Sequence, residues 1–213
     1  NSVSFIYASS ASVYGDGKEF TEARENENPI NLYAFSKYLF DQLIRQKINE
    51  SKIQIVGLRY FNVYGPNEAH KGHMASVAYH LHKQLEKGGE VKLFEASDGY
   101  EAGEQRRDFV YVDDVVKVNL WFKENPEVSG IYNVGTGKSQ TFNEVANSVI
   151  SFHGKGSIQY IPFPIELVGS YQSFTEADIG KLRAAGYPDD FLDVQTGVQL
   201  YLEKLSNWPK NES

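Results

Sequence analysis

Apolar positions along the chain alternate between two rhythms. Val3-Ser4-Phe5-Ile6-Tyr7-Ala8 is a short apolar run of the kind a buried strand leaves, and it breaks off in Ser9-Ser10-Ala11-Ser12-Val13-Tyr14-Gly15. Leu32, Phe35, Leu39, Phe40, Leu43 and Ile44 then recur at helical spacing. They predict a helix from about Pro29 to Ile48, with Pro29 in a first turn where its missing N–H is not needed. Lys52 to Phe61 is rich in β-branched residues and predicts the next buried strand. Strand, helix, strand is the unit of a parallel α/β sheet.

The alternation continues to the end of the sequence. It predicts a helix over Met74–Lys87, a strand over Val91–Phe94, and a helix from Val115 to Glu124 that Asp113 or Asp114 caps and Pro126 ends. A strand over Gly130–Gly135 follows, then a helix opened by Thr141 with Glu144 three residues on, a capping box. Ile158–Ile161 reads as a strand, and closing helices run from about Glu176 to Ala185 and from about Val194 to Leu205. Gly15 to Asn28 reads as a polar loop with Glu19, Glu22, Glu25 and Glu27 on a solvated surface. Phe61 to Met74 reads as a loop at the carboxyl end of its strand, where ligands bind in open α/β sheets.

Composition narrows the classes. With 213 residues, 41% apolar and 23% charged, the chain has enough material for one sizeable core and a smaller lobe. It has no cysteine, so disulfides and thiolate metal sites are excluded, and no metal site is expected. A net charge of −7 argues against a nucleic-acid partner. No apolar run reaches the length of a membrane span, and a cytoplasmic location is expected.

The candidate chemistry centres on Tyr33 and Lys37. Four apart on one helix, they share a face with Cβ atoms about 6 Å apart. An ammonium held near a phenol favours the phenolate, which makes the tyrosine usable as a general acid or base. An ordinary amphipathic helix carries such a pair by chance often enough that the spacing alone decides nothing. Taken with a serine at the carboxyl end of the preceding strand, however, the pattern resembles the extended short-chain dehydrogenase/reductase family. Ser10 stands five residues before Gly15, as the family's serine does, and Ser9 is expected to be structural. The likeness continues through Arg59-Tyr60-Phe61-Asn62-Val63-Tyr64-Gly65-Pro66, His70-Lys71-Gly72, Met74-Ala75-Ser76-Val77-Ala78, Arg107-Asp108-Phe109-Val110-Tyr111-Val112, Tyr160-Ile161-Pro162-Phe163-Pro164, Tyr171-Gln172 and Leu182-Arg183-Ala184-Ala185-Gly186-Tyr187. These runs are similar to those of its nucleotide-sugar epimerases.

The resemblance implies the carboxyl-terminal portion of a Rossmann-type doubly wound parallel sheet plus a smaller α/β substrate-binding lobe. Residues 1–66 would be a partial NADP-binding domain, and 67–213 mainly the substrate lobe, with about 106–135 returning to the first. No Gly-x-Gly-x-x-Gly turn links a strand to a helix, so the chain is expected to be roughly two-thirds of a longer enzyme. The implied reaction is NADP-dependent epimerisation of an ADP-heptose at C6″ through a transient ketone, in lipopolysaccharide-core precursor synthesis, by a homo-oligomer, a pentamer by resemblance. Tyr33 and Lys71 would be the acid/base groups, with Ser10 beside the reacting oxygen. Lys37, Val63 and Lys71 would touch the cofactor. Asn62, His73, His80, Phe94, Glu95, Ala96, Ser97, Arg107 and Tyr171 would bind the sugar nucleotide, although His73 replaces the family's usual serine and the insertion before Arg106 is longer and more acidic. A sister epimerase or a 4,6-dehydratase shares the fold. The dehydratase is disfavoured because Ala11-Ser12 stands where it carries Asp-Glu. An inactive substrate-lobe fragment is the remaining alternative.

Overall fold

The computed structural model describes residues 3–165 and 171–207. Its central sheet is parallel, in the order β1 (Ser4–Ser10), β2 (Gln54–Tyr60), β7 (Gly130–Val134). The predicted strand–helix–strand unit is therefore present, with α1 (Leu32–Ile48) as its crossover. β2 is buried over six of its seven positions, as its apolar run required. Val56, Leu58, Val110, Val118, Phe122 and Val134 form the core against α3 (Val112–Glu124), and Leu182 and Tyr187 join it from near α5 (Gly180–Ala184).

The second lobe has its own core. α2 (Val77–Lys87), α4 (Phe142–His153) and α6 (Val194–Asn207) pack with the parallel pair β4 (Glu90–Phe94) and β9 (Ser157–Ile161). Two smaller ladders stitch the lobes: β3 (Asn62–Tyr64) runs parallel to β6 (Phe109–Tyr111), and β5 (Arg106–Arg107) antiparallel to β8 (Gln140–Thr141).

Several expectations need correction. α1 starts at Leu32 and not at Pro29, because the Asn31 side chain accepts the Ala34 N–H at 2.8 Å and fixes the first turn there. Its buried positions are Ala34, Asp41 and Ile44, while Leu32 is 89% exposed and Phe35, Leu39 and Leu43 also face out. α2 begins three residues later than read, capped by Ser76. Neither Asp113 nor Asp114 caps α3: the helix starts at Val112, and the buried Asp114 carboxylate accepts from Lys117 Nζ and from Leu192 N. The helix read over Glu176–Ala185 is only the short α5. The capping box at Thr141 and Glu144 is present with both reciprocal bonds.

Candidate active site

Ser10 ends β1 and opens a 3-10 turn over Ala11–Tyr14, its hydroxyl accepting the Ser12 N–H at 3.1 Å. The neighbouring Ser9 is buried and donates to Asp41 Oδ2 at 3.0 Å, a structural bond that leaves Ser10 as the half-exposed serine of the pair. Tyr33, on the first turn of α1, is 57% exposed. Lys37 Nζ lies 5.7 Å from the centre of the Tyr33 ring and donates to Ala8 O at 2.9 Å, two residues before Ser10. The lysine thus ties the Tyr33 face of α1 to the end of β1.

Beneath this group lies a buried charge cluster that the sequence reading missed. Asp41, one turn beyond Lys37, accepts from Tyr7 OH at 2.8 Å, from Ser9 Oγ and from Arg59 Nε at 2.9 Å. Arg59 is fully buried and also pairs with Glu27, which Arg45 binds in turn. Burial works to raise the Glu27 carboxyl, but the Arg45 and Arg59 contacts outweigh it and hold it below the ordinary glutamate value. Arg59 further donates to Tyr14 OH at 3.0 Å, and Tyr14 OH to Asn133 Oδ1 at 2.7 Å. Burial pushes the Tyr14 phenol up to about 12, so it stays protonated and donating. Glu27 is therefore no solvated loop residue, and Glu22 is half-buried, accepting from Asn133 N at 2.7 Å. Alternation along a loop carries no trace of a partner more than thirty positions away; the buried Arg59, inside a mostly apolar strand, was the available signal.

Lys71 occupies the Ala69–Met74 turn that leaves β3, beside His73, and both are exposed. Among the described residues no hydrogen bond joins Lys71 Nζ to Tyr33 or Ser10. His80, half-buried on α2, approaches His73 O at 3.4 Å. Asn62 and Val63 sit in β3, a strand the loop reading did not foresee, and Asn62 Oδ1 accepts from Thr175 Oγ1 at 3.3 Å.

The remaining candidates meet in a second cluster. Phe94 ends β4, and its ring lies 6.2 Å from that of Tyr171, with Phe163 5.2 Å from Phe94 and 5.3 Å from Tyr171. Phe94 and Tyr171 line a cavity of about 130 Å³ with Val77, Leu93, Gln105 and Phe142. Gln105, buried, donates to Glu95 O and to Ser97 Oγ and so fixes the Glu95-Ala96-Ser97 turn. Arg107 stacks on Tyr171, its guanidinium carbon 4.9 Å from the ring centre. It is 7% exposed, makes one 3.3 Å bond to Arg106 O, and meets no carboxylate among the described residues. Burial lowers its pKa from the ordinary arginine value, yet the group stays charged at neutral pH. Arg106, by contrast, is spent on Ser139 O and Oγ. Asp108 locks the segment by accepting from Thr136 N, Gly137 N and Ala177 N. Gln172 donates to Gly15 O, linking the Tyr171 segment to the Ser10 turn. Phe163 and Gln105 were missed as site residues, the first despite its Pro-Phe-Pro setting.

A family profile described as "NAD dependent epimerase/dehydratase family" matches residues 1–135. A curated relative from Alkalilimnicola ehrlichii, named ADP-L-glycero-D-manno-heptose-6-epimerase, is 56% identical over 207 residues, 97% of this chain and 65% of the relative. A relative of the same name from Thiobacillus denitrificans is 53% identical over 94% of this chain and 65% of its own length. The chain thus spans 65% of the length of the curated relatives it matches. The crystal structure of the Helicobacter pylori ADP-L-glycero-D-manno-heptose-6-epimerase superposes with a TM-score of 0.80 at 36% identity, over 95% of this chain and 60% of that one. Thermus thermophilus UDP-glucose 4-epimerase, in complex with NAD, gives 0.77 at 28%, over 95% and 64%. A parallel β1–α1–β2 unit, a serine at the strand exit and a Tyr–Lys pair on the crossover helix are what this profile match overlies, and the chain belongs to the NAD dependent epimerase/dehydratase family.

Proposed function

We propose that this chain carries the acid/base and sugar-nucleotide-binding residues of an NADP-dependent ADP-heptose 6-epimerase. The observation that carries the reading is Arg107. A buried guanidinium with no carboxylate partner is costly unless an anion completes it, and its planar fork matches a diphosphate. Tyr171 and Phe94 beside it, around an apolar cavity, offer ring faces to a nucleoside base. Relatives named for an ADP-heptose support that substrate among nucleotide sugars.

The residues around Ser10 fit a nicotinamide nucleotide. Lys37, held by Ala8 O, retains two N–H donors for ribose hydroxyls, and the half-buried Val63 offers an apolar contact at the strand exit. When bound, that cofactor supplies reversible two-electron exchange at the sugar carbon. The protein's part is the proton. Tyr33 removes it from the C6″ hydroxyl as the carbon becomes a ketone, while Ser10 Oγ hydrogen-bonds the reacting oxygen. With the ketone turned to present its other face to the cofactor, reduction at C6″ would invert the centre, and Lys71 would return the proton to the oxygen. His80, His73, Asn62 and the Glu95–Ser97 turn would hold the heptose and nucleotide during that turn. Assembly as a homo-oligomer in the cytoplasm belongs to the same reading.

The test is the pair Tyr33→Phe and Lys71→Met in the intact protein. Each should lower epimerisation of ADP-heptose at least about a hundredfold with the cofactor still bound, because general acid–base catalysis contributes roughly 10²–10⁴-fold. Wild-type turnover in either variant defeats its assigned role.

A further inference from the structure

The turn that carries Lys71 is held by almost nothing of its own. No residue of Ala69–Met74 is buried, and Gly72 sits at φ +55° with open space around it. Within the turn the bonds are from Ala75 N to Gly72 O at 3.1 Å and the long approach of His80 to His73 O. What fixes its ends is Glu68. This residue is 4% exposed, and its backbone carbonyl accepts the Lys71 N–H at 2.9 Å. Its carboxylate reaches across the turn: Oε2 accepts Ser76 N at 2.7 Å, and Oε1 accepts Ser76 Oγ at 2.6 Å and Tyr201 OH at 2.8 Å. Ser76 caps α2, and Tyr201 lies fully buried in the middle of α6. One carboxylate therefore closes the turn end to end and bolts it to two helices of the second lobe. No cation faces it among the described residues, so three donors, and not an ion pair, hold it in place.

We propose that Glu68 is the positioning residue for Lys71, setting where the ammonium stands over the cleft without touching substrate itself. The proposal rests on Lys71 having the acid/base role given above. A structural role alone would make Glu68 substitutions lower stability broadly. A positioning role makes them act on the one turn and through the one lysine.

In the intact protein, Glu68→Gln keeps the side chain's length and replaces one acceptor oxygen with a donor. Three donors then face a single oxygen. Trypsin should cut the Lys71–Gly72 bond about tenfold faster, the exposure expected when a charge-assisted hydrogen bond is lost, with cleavage at other exposed lysines unchanged. Epimerisation kcat should fall by about the same factor with KM within about twofold. In a Lys71→Met background the substitution should change the residual rate no further, since both act through one group. Tyr201→Phe removes one of the three donors and should give a smaller shift of the same kind; it serves if the Gln variant does not fold. The proposal is overturned if cleavage at Lys71–Gly72 is unchanged in both variants, or if Glu68→Gln lowers the rate equally with and without Lys71. Full activity of Lys71→Met would instead remove the lysine's catalytic role, while faster cleavage in Glu68→Gln would still show the clamp.

Discussion

Asp41→Asn removes one charge from the cluster beneath Ser10 with little change in volume. Asp41 and Glu27 face Arg59 and Arg45, two carboxylates against two guanidiniums. An asparagine oxygen can still accept from Ser9 and Arg59 Nε, and Tyr7 OH can turn to accept from the new amide. The hydrogen bonds survive and the charge balance does not. Arg59, whose side chain is fully buried, then shares Glu27 with Arg45 and leaves one positive charge uncompensated. Removing one partner of a buried pair costs about 3–5 kcal/mol. At about 2–4 °C per kcal/mol for a chain of this size, Tm should drop by about 6–20 °C. Urea denaturation followed by far-UV circular dichroism should show the same loss at unchanged slope. Lys47→Ala, which breaks the exposed Lys47–Glu50 pair, is the control and should cost under about 1 kcal/mol. If Asp41→Asn behaves like that control, the cluster is not the buried, balanced unit described above.

Two further outcomes test other parts of the packing. His82 Nδ1 and His153 Nε2 lie 3.0 Å apart between α2 and α4, and burial, aided by His153 and Lys83 against the pull of Glu86, lowers the His82 pKa from its ordinary value. The unfolded chain then binds the proton more readily, so stability should be whole above about pH 6.5 and fall as pH drops below it; urea midpoints from about pH 8 to pH 5.5 should show the loss, and His82→Gln should flatten it. Gly197 lets α6 approach Tyr64, and a Cβ there would collide with the Tyr64 hydroxyl, which is buried without a partner among the described residues; Gly197→Ala should cost about 1–3 kcal/mol by thermal melting, with part recovered when Tyr64→Phe is added.

The strands of the main sheet were legible because a run such as Gln54–Tyr60, buried on both faces, leaves little but apolar residues to read. Thr141–Glu144 was legible for a different reason: a capping box is wholly local. What failed was long-range. Glu27 and Glu22 look like surface until Arg59 and Asn133 arrive from distant strands, and Asp114 looks like a cap until Leu192 N meets it. α1 shows the same limit in reverse. Its leucines and phenylalanines follow a helical period, yet they lie on the face turned from this core, and the inward face is built around a carboxylate. Of the candidate site, the Tyr33–Lys37 pair was visible as a helical spacing, but it and Ser10 were singled out only through the resemblance. Phe94 and Tyr171 were likewise named through the resemblance, but their meeting with Phe163 was not foreseen, because the cluster joins three segments that no period connects.

The order of strands has a consequence for how the site comes into being. β1, α1 and β2 are neighbours in sequence and can assemble early, with Lys37 reaching Ala8 O. β7 pairs with β2 only after the whole second lobe's first half has been spelled out, and closing so long a loop is slow. Asn133, which β7 delivers, holds Tyr14 OH, Phe20 O and Asp178 O together. Until it docks, Tyr14 OH lacks its acceptor, although Asp41 and Glu27 already hold Arg59. The turn after Ser10 is thus completed late: a chain that has already formed its helix and its first strand pair still waits on one asparagine to hold the tyrosine that ends that turn.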